Sequence, residues 1–222
     1  MEKIIVVATH PDDETLGCGG TILKHKEIGD EVYWLIITGM REGQGFRRSE
    51  ISARKKEIEA ADKLYRFNDV FQAGLATTRL DQYPISEIIG RVSKVFNKVK
   101  PSVIYMPFYG DAHSDHRIVF DATHSCTKMF RYPFIKRVLM METISETDSC
   151  QGMKDLVFIP NYFVDITGFL DKKTRIAKIF GSEMGKHPFP RSEENIKALA
   201  TLRGSQCGCA CAESFMMLKE LW

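Results

Sequence analysis

The stretch Ile4-Ile5-Val6-Val7-Ala8-Thr9-His10-Pro11-Asp12-Asp13-Glu14 decides the fold, because an apolar run passes directly into one imidazole and three carboxylates. A short apolar run that ends at polar, turn-forming residues predicts a buried strand. Charged groups crowded at the end of a strand repel one another unless a positive group lies among them, and a divalent metal ion is the simplest such group. Histidine and aspartate together are ligands that suit Zn²⁺.

A second cluster of the same kind, Asp111-Ala112-His113-Ser114-Asp115-His116, follows another apolar run at 103–106. Each cluster therefore comes directly after a predicted strand. If the two strands are neighbours in one parallel sheet, the clusters lie at the same edge of that sheet. A single metal site built from both clusters is the leading interpretation.

The rest of the chain alternates short apolar runs with amphipathic segments, which is typical of a parallel sheet covered by helices. Strands are predicted over 4–8, 31–38, 69–73, 102–106, 138–141 and 162–166, and helices over 15–28, 49–66, 85–99, 114–129, 168–180 and 192–203. The predicted fold is α/β, with a Rossmann-like, doubly wound, mostly parallel sheet and helices on both faces. No linker interrupts the pattern, so residues 1–222 are predicted to form a single domain.

The doubly wound strand order 3-2-1-4-5 places the first and fourth strands side by side. In such sheets, ligands bind outside the carboxyl ends of the strands, at the point where the winding direction reverses. This topology rule brings the two His/Asp clusters together.

Composition narrows the classes of function. The formal net charge of +2 gives no argument for binding nucleic acid or an anionic membrane. No apolar run approaches the roughly 18 residues of a membrane span, and the first run is too short for a signal peptide. We therefore predict a cytoplasmic protein that binds neither nucleic acid nor membranes.

The six cysteines do not predict a disulfide framework in such a protein. Cys207, Cys209 and Cys211 lack the spacing and the second pair of a zinc site, which favours a turn or strand of small residues.

The chemistry of the clusters suggests roles for their members. His10, Asp13 and His116 can supply the three ligands of a catalytic zinc ion. Asp12, beside the metal, can act as general base. His113 can donate to an oxyanion or protonate a leaving amine, and Asp115 can orient His113 and stabilise its charged form.

Each cluster also has a simpler interpretation when it is taken alone. A His-Pro-Asp sequence at a strand end is usually a turn in which the aspartate bonds its own backbone. His113 and His116 can occupy one solvated helix face. Gly17, Gly19 and Gly20 suggest a dinucleotide loop, but the preceding carboxylates would repel a pyrophosphate, so this interpretation is rejected.

Taken together, the two motifs resemble the PIG-L/LmbE-like N-acetylglucosaminyl deacetylase family. The first motif of that family has an alanine where this chain has Thr9, and the second often has a proline where this chain has Ser114. Weaker landmarks extend the resemblance over the whole chain: Arg54 with Glu57, Leu80-Asp81, Val164-Asp165-Ile166, Pro190-Arg191-Ser192 and Ala212-Glu213-Ser214-Phe215.

The resemblance implies a zinc-dependent hydrolase that removes the acetyl group from the nitrogen of a GlcNAc-type small molecule or sugar conjugate. By position it implies the same ligands and catalytic residues, one divalent metal per chain, and sugar or aglycone contacts from Arg54 and Asp81. The residues leave other interpretations open for these two: Arg54 can pair with Glu50 or Glu57, and Asp81 can cap a turn. A homo-oligomer is compatible with the sequence. The alternatives for function are hydrolysis of a non-sugar amide and non-catalytic binding of a metal or sugar on the same scaffold.

Overall fold

Thirteen regular elements follow one another in the computed structural model, which describes residues 1–150 and 152–222. The strands are β1 (Lys3–Ala8), β2 (Glu31–Gly39), β3 (Asp69–Ala76), β4 (Val103–Met106), β5 (Arg137–Met141), β6 (Tyr162–Asp165) and β7 (Ala212–Glu220). The helices are α1 (Asp13–Glu27), α2 (Arg48–Tyr65), α3 (Ile85–Val99), α4 (Ser114–Ser125), α5 (Leu170–Ala177) and α6 (Glu193–Cys207).

The strands form one sheet in the order β3-β2-β1-β4-β5-β7-β6. Val6 of β1 lies opposite Trp34 of β2 on one side and opposite Tyr105 of β4 on the other, and both pairings are parallel. Strand β7 pairs antiparallel with both β5 and β6. The predicted order of the first five strands and the α/β, mostly parallel fold are confirmed.

Successive residues of β1 point to opposite faces of the sheet, as the two-residue period of a strand requires. Ile4 and Val6 join a buried cluster that includes residues of α1, α2 and α5. Ile5 and Val7 join a second buried cluster that includes residues of α3 and α4. Because both faces are covered, β1 is apolar and buried from Ile4 to Ala8 and ends abruptly at the polar motif.

The largest departure from the sequence prediction is β7, which the pattern analysis missed. It alternates imperfectly between buried and exposed positions, and it follows the small residues 208–211, which carry little periodic signal. In the part of the chain that the structure describes, no helix is long and apolar enough to cross a membrane.

Helix α1 contains a break at Cys18, where φ is −147°. The Glu213 carboxylate, at the start of β7, accepts hydrogen bonds from the backbone N–H groups of Gly20 and Thr21 at 2.8 and 2.7 Å. Lys173 of α5 pairs with the same carboxylate at 2.7 Å. This buried group therefore caps the second half of α1 and holds the helix that begins at the polar motif.

Candidate metal and catalytic site

The two predicted clusters meet at the carboxyl ends of β1 and β4. His10, Asp13 and His116 each offer one ligand atom, and these atoms lie within 4.8 Å of one another. The loop after β1 supplies His10, the first residue of α1 is Asp13, and the first turn of α4 supplies His116. The structure thus brings together the three residues that the sequence predicts as metal ligands.

His116 is held by a carboxylate that the sequence analysis did not assign. Its Nδ1 lies 2.8 Å from Asp111 Oδ2, and Asp111 Oδ1 in turn accepts a hydrogen bond from the Thr147 hydroxyl at 2.6 Å. The other ring nitrogen, Nε2, lies 3.3 Å from Asp13 Oδ2. This carboxylate–imidazole arrangement is the usual support of a metal-binding histidine, because it fixes both tautomer and ring orientation.

His10 has a matching support from the other cluster. Its Nε2 lies 3.4 Å from Asp115 Oδ2, and its Nδ1 lies 3.8 Å from Asp13 Oδ2. Each of the two histidines therefore presents one ring nitrogen to Asp13 and the opposite nitrogen to a separate aspartate. The Asp115 carboxylate therefore supports the ring of His10.

Two polar atoms at the centre of this cluster have no hydrogen-bond partner although they are buried: Asp13 Oδ1 and His116 Nε2. Burial opposes ionisation of His116, but the Asp13 and Asp111 carboxylates outweigh it and raise the pKa of His116 to about 9. The surroundings therefore stabilise a positive charge at this point. Two imidazoles and one carboxylate, with two buried polar atoms that lack a hydrogen-bond partner, fit a divalent cation of the zinc type.

Asp12 lies beside these residues in a strained backbone conformation, with φ at 134°. Its N–H donates to Glu14 Oε2 at 3.0 Å, and its carbonyl accepts from the N–H groups of Thr15 and Leu16 at 2.9 Å. Such strain costs about 1–3 kcal/mol and persists where the surroundings fix it, often at functional sites. Burial, followed by the neighbouring Asp13 carboxylate, raises the pKa of Asp12 well above its usual range.

Arg191 is the main site residue to which the sequence analysis gave no role. Its Nη1 donates to Asp12 Oδ2 at 2.9 Å, and its Nη2 donates to Glu146 at 3.1 Å. Its Nε donates to Ser145 Oγ at 2.8 Å. The only signal in the sequence was its place in the landmark 190–192, which does not show its distant partner, Asp12.

His113 precedes α4 and caps it, whereas Ser114 would be the conventional cap. Its Nδ1 accepts the backbone N–H of Asp115 at 3.0 Å. This hydrogen bond places the ring proton of the neutral form on Nε2. Burial, followed by His10 and His116, lowers the pKa of His113.

The sequence predicts that the Asp115 carboxylate orients His113 and stabilises its charged form, but in the structure the hydrogen bonds of this carboxylate go to other groups. The carboxylate instead contacts His10 and accepts the N–H groups of Thr78 and Leu80 at 2.7 and 3.2 Å. The sequence could not show that the loop after β3 passes close enough to donate two backbone N–H groups to this carboxylate.

A cavity of about 260 Å³ opens beside these groups. Its lining includes Asp12, His113, Arg54, Glu183 and Arg191. Further lining residues are His10, Pro11, Thr38, Gly39, Met40, Phe46, Thr77 and Thr78.

The two predicted substrate contacts differ in position. Arg54 lines the cavity and is 7% exposed, but it donates to the Pro11 carbonyl at 2.9 Å and pairs with Glu57 and Glu183. Arg54 therefore also fixes the loop that carries the first motif. Asp81 is exposed and does not line the cavity, so the structure does not bring it to the site.

Comparison with known protein families identifies the family of this chain. A family model described as PIG-L, GlcNAc-PI de-N-acetylase, matches residues 5–127. The chain belongs to the PIG-L family. The match covers β1 to α4 and so includes both motifs, which confirms the resemblance found in the sequence.

Among curated relatives, the diacetylchitobiose deacetylase of Thermococcus kodakarensis is 26% identical over 236 residues, covering 100% of this chain and 85% of that protein. Among solved structures, N,N'-diacetylchitobiose deacetylase from Pyrococcus horikoshii, complexed with its inhibitor MPG, has a TM-score of 0.79 at 21% identity and covers 98% of this chain and 84% of that one. The prediction of a deacetylase-type hydrolase agrees with the family and with the curated relative.

The same fold also occurs in GalB, the 4-carboxy-2-hydroxymuconate hydratase of Pseudomonas putida. That structure has a TM-score of 0.79 at 17% identity and covers 100% of this chain and 98% of that one. A fold of this kind hosts more than one reaction, so the reaction has to be argued from the site residues of this PIG-L protein.

Proposed function

We propose that this PIG-L protein is a zinc-dependent N-deacetylase that hydrolyses the acetamide of a GlcNAc-containing small molecule or conjugate. The observation that carries the proposal is that a cluster of two histidines and one aspartate lies next to a strained, buried Asp12, and that Asp12 and His10 line the same cavity. The family and the names of the relatives support the same chemistry.

His10, Asp13 and His116 would hold the metal ion, with Asp115 and Asp111 fixing the two imidazole rings. A divalent cation in this position supplies Lewis acidity and lowers the pKa of a water molecule.

Asp12 serves as the general base in this proposal. Amide hydrolysis needs a group that takes a proton from the attacking water, and such a group works best when its pKa lies closer to the working pH than that of a free carboxylate. Burial provides that shift for Asp12. Because Arg191 donates to Oδ2, we assign the proton transfer to Oδ1.

His113 serves as a neutral hydrogen-bond donor. Its Nδ1 is occupied by the Asp115 N–H, so its Nε2–H is the group available to the carbonyl oxygen of a substrate. A neutral imidazole does not supply the proton for the departing amine. We therefore infer that Asp12 returns the proton it has taken, which makes it base and acid in turn.

The cavity suits one ring-sized group. Its volume of about 260 Å³ lies just below the roughly 300–1,000 Å³ usual for small-molecule sites. Thr38, Thr77 and Thr78 contribute polar groups to the lining, although the Thr38 and Thr78 hydroxyls already donate to backbone carbonyls, and Met40 and Phe46 contribute apolar surface. A sugar ring presents this mixture of hydroxyls and C–H faces, so we place the acetylated sugar inside the cavity and the rest of the conjugate outside it.

The test is acetate release from a panel of GlcNAc conjugates and from N-acetylated amino acids, compared in metal-loaded wild type, Asp12→Asn and Asp81→Asn. Asp12→Asn should retain metal and lose about 10²- to 10⁴-fold in kcat, because an amide cannot accept the proton. Asp81→Asn is the matched control, since the same change is made at an exposed aspartate outside the cavity.

Release of acetate from the N-acetylated amino acids and not from the GlcNAc conjugates would show that the substrate is a non-sugar amide. A wild-type kcat for Asp12→Asn would show that Asp12 is not the general base. Metal binding with no acetate release from any compound would favour a binding protein.

A further inference from the structure

The segment 207–211 contains three cysteines and lies apart from the catalytic cavity, at the connection between α6 and β7. Cys207 is exposed and Cys209 is partly exposed. Their sulfur atoms lie 3.5 Å apart. A disulfide bond is about 2.05 Å long, so the two sulfurs need to approach by roughly 1.5 Å to bond.

We propose that Cys207 and Cys209 are a modification site, at which a low-molecular-weight disulfide converts the two thiols into a reversible intrachain disulfide.

The backbone of this connection brings the two thiols together before any reaction. Helix α6 ends at Cys207, and Gly208 follows in the left-handed region with φ at 83°. The N–H groups of Gly208 and Cys209 both donate to the Gly204 carbonyl, at 2.9 and 3.0 Å. A Cβ at Gly204 would lie 2.7 Å from the backbone of Cys209 and Ala210, so only glycine there allows the turn to fold back onto the helix.

The turn also leaves room for the small movement that the bond requires. An added Cβ at Gly208 would meet no atom within 4 Å. The two hydrogen bonds to Gly204 fix the helix end, while the space beside the Cα of Gly208 is open. Rotation of the cysteine side chains can then bring the sulfurs together.

A thiolate metal site is the competing interpretation, and the surroundings do not complete one. Among the described residues, the only groups of three or more potential ligands with metal spacing lie around His10, and neither includes a cysteine. The Cys209 thiol is also engaged with the Cys211 carbonyl at 3.4 Å. Two neighbouring thiols without a third ligand favour oxidation over metal binding.

The order of events follows from exposure and charge. Burial, then the Cys207 thiol and the Asp165 carboxylate, raise the pKa of Cys209 to about 11, which keeps Cys209 protonated at neutral pH. Cys207 is the more exposed of the two thiols, so a small disulfide reaches it first, and Cys207 as thiolate attacks one sulfur of that disulfide. The S–S bond of the reagent breaks, one small thiolate leaves and takes up a proton, and a mixed disulfide remains on Cys207.

In the second step Cys209 loses its proton and attacks the Cys207 sulfur. The second small thiol leaves with a proton, and the Cys207–Cys209 bond forms. Overall, two protein thiols are oxidised to one disulfide and one small disulfide is reduced to two thiols.

Treatment of the metal-loaded full chain with oxidised glutathione, followed by peptide mass spectrometry, tests the proposal. Wild type should lose two of its six thiols, carry no glutathione and recover both thiols with dithiothreitol. Cys209→Ser should instead hold one glutathione on Cys207. Cys211→Ser is the matched control and should form the same bond as wild type.

A bond from either residue to Cys211, a disulfide between two chains, or a stable glutathione adduct on wild type would each overturn the proposal. The measurement does not involve deacetylation, so its outcome tests the disulfide proposal independently of the proposed function.

Discussion

Asp111→Asn tests the support of His116 more sharply than removal of the histidine would. In the parent protein, Asp111 Oδ1 accepts from the Thr147 hydroxyl and Oδ2 faces His116 Nδ1. An asparagine that keeps its amide oxygen on Thr147 directs its NH₂ group at Nδ1. That nitrogen must then accept, which moves the ring proton to Nε2, the atom facing Asp13. A protonated Nε2 cannot bind a metal ion.

The alternative is that the amide flips. His116 then regains a proper partner, but the buried Thr147 O–H loses its acceptor, at a cost of about 1–3 kcal/mol. Both routes predict weaker metal binding with an intact fold. We expect a 10- to 100-fold loss of affinity, which is the usual range for such supporting residues and corresponds to roughly 1.4–2.7 kcal/mol.

The assay is competition for Zn²⁺ against a chromophoric chelator, with ¹⁵N NMR of the histidine rings to report the His116 tautomer. Thr147→Val combined with Asp111→Asn removes the hydroxyl that pins the amide, so the double variant should bind zinc more tightly than Asp111→Asn alone. Thr147→Val alone is the control. Binding by Asp111→Asn within about twofold of wild type would refute the supporting role, and a double variant no better than the single one would refute the tautomer argument.

Three further predictions concern histidines. His10→Ala and His116→Ala should each lose most bound metal by elemental analysis, and full retention in both would contradict the ligand assignment. His113→Gln keeps an N–H donor and should retain far more kcat than His113→Leu; equal activities would remove the hydrogen-bond role. His25 lies 2.8 Å from Asp30, and burial lowers the pKa of His25. The unfolded state therefore binds the extra proton below the usual histidine pKa of about 6.5. Urea unfolding should accordingly show that wild type loses stability relative to His25→Gln as the pH falls through and below that value, and parallel pH curves would contradict this.

The centre of the site could be predicted from the sequence because its residues lie directly after two strands that local patterns reveal. An apolar strand followed by His10 and Asp13, and another followed by His116, fix two strand ends, and the winding order makes them neighbours. The residue types, histidine and aspartate, then suggested ligands for a divalent metal ion. No contact between distant side chains had to be guessed.

The hydrogen-bond partners that depend on the path of the loops could not be predicted from the sequence. Asp115 follows His113 closely in sequence, and yet its carboxylate lies against the His10 ring. The backbone N–H of Thr78 donates a hydrogen bond to the same carboxylate and helps to fix it there. Arg191 reaches Asp12 across 179 positions of chain, and nothing in the spacing of either motif shows this contact. Strand β7 was missed for a related reason, since its place between β5 and β6 depends on antiparallel pairing and not on a local pattern.

The charges of the site explain why these supporting partners belong to its chemistry. The carboxylates of Asp13, Asp111 and Asp115 contact two histidines, and the Asp12 carboxylate pairs with Arg191. Buried carboxylates this close raise one another's pKa unless a cation compensates them. A divalent ion between His10, Asp13 and His116 would compensate Asp13, Asp111 and Asp115 directly or through the imidazole rings, and would leave Asp12 as the carboxylate whose proton affinity is set by burial and by Arg191. On the proposed function, Asp12 would then be left for proton transfer, while Asp13 would bind the ion and Asp111 and Asp115 would hold the histidine ligands.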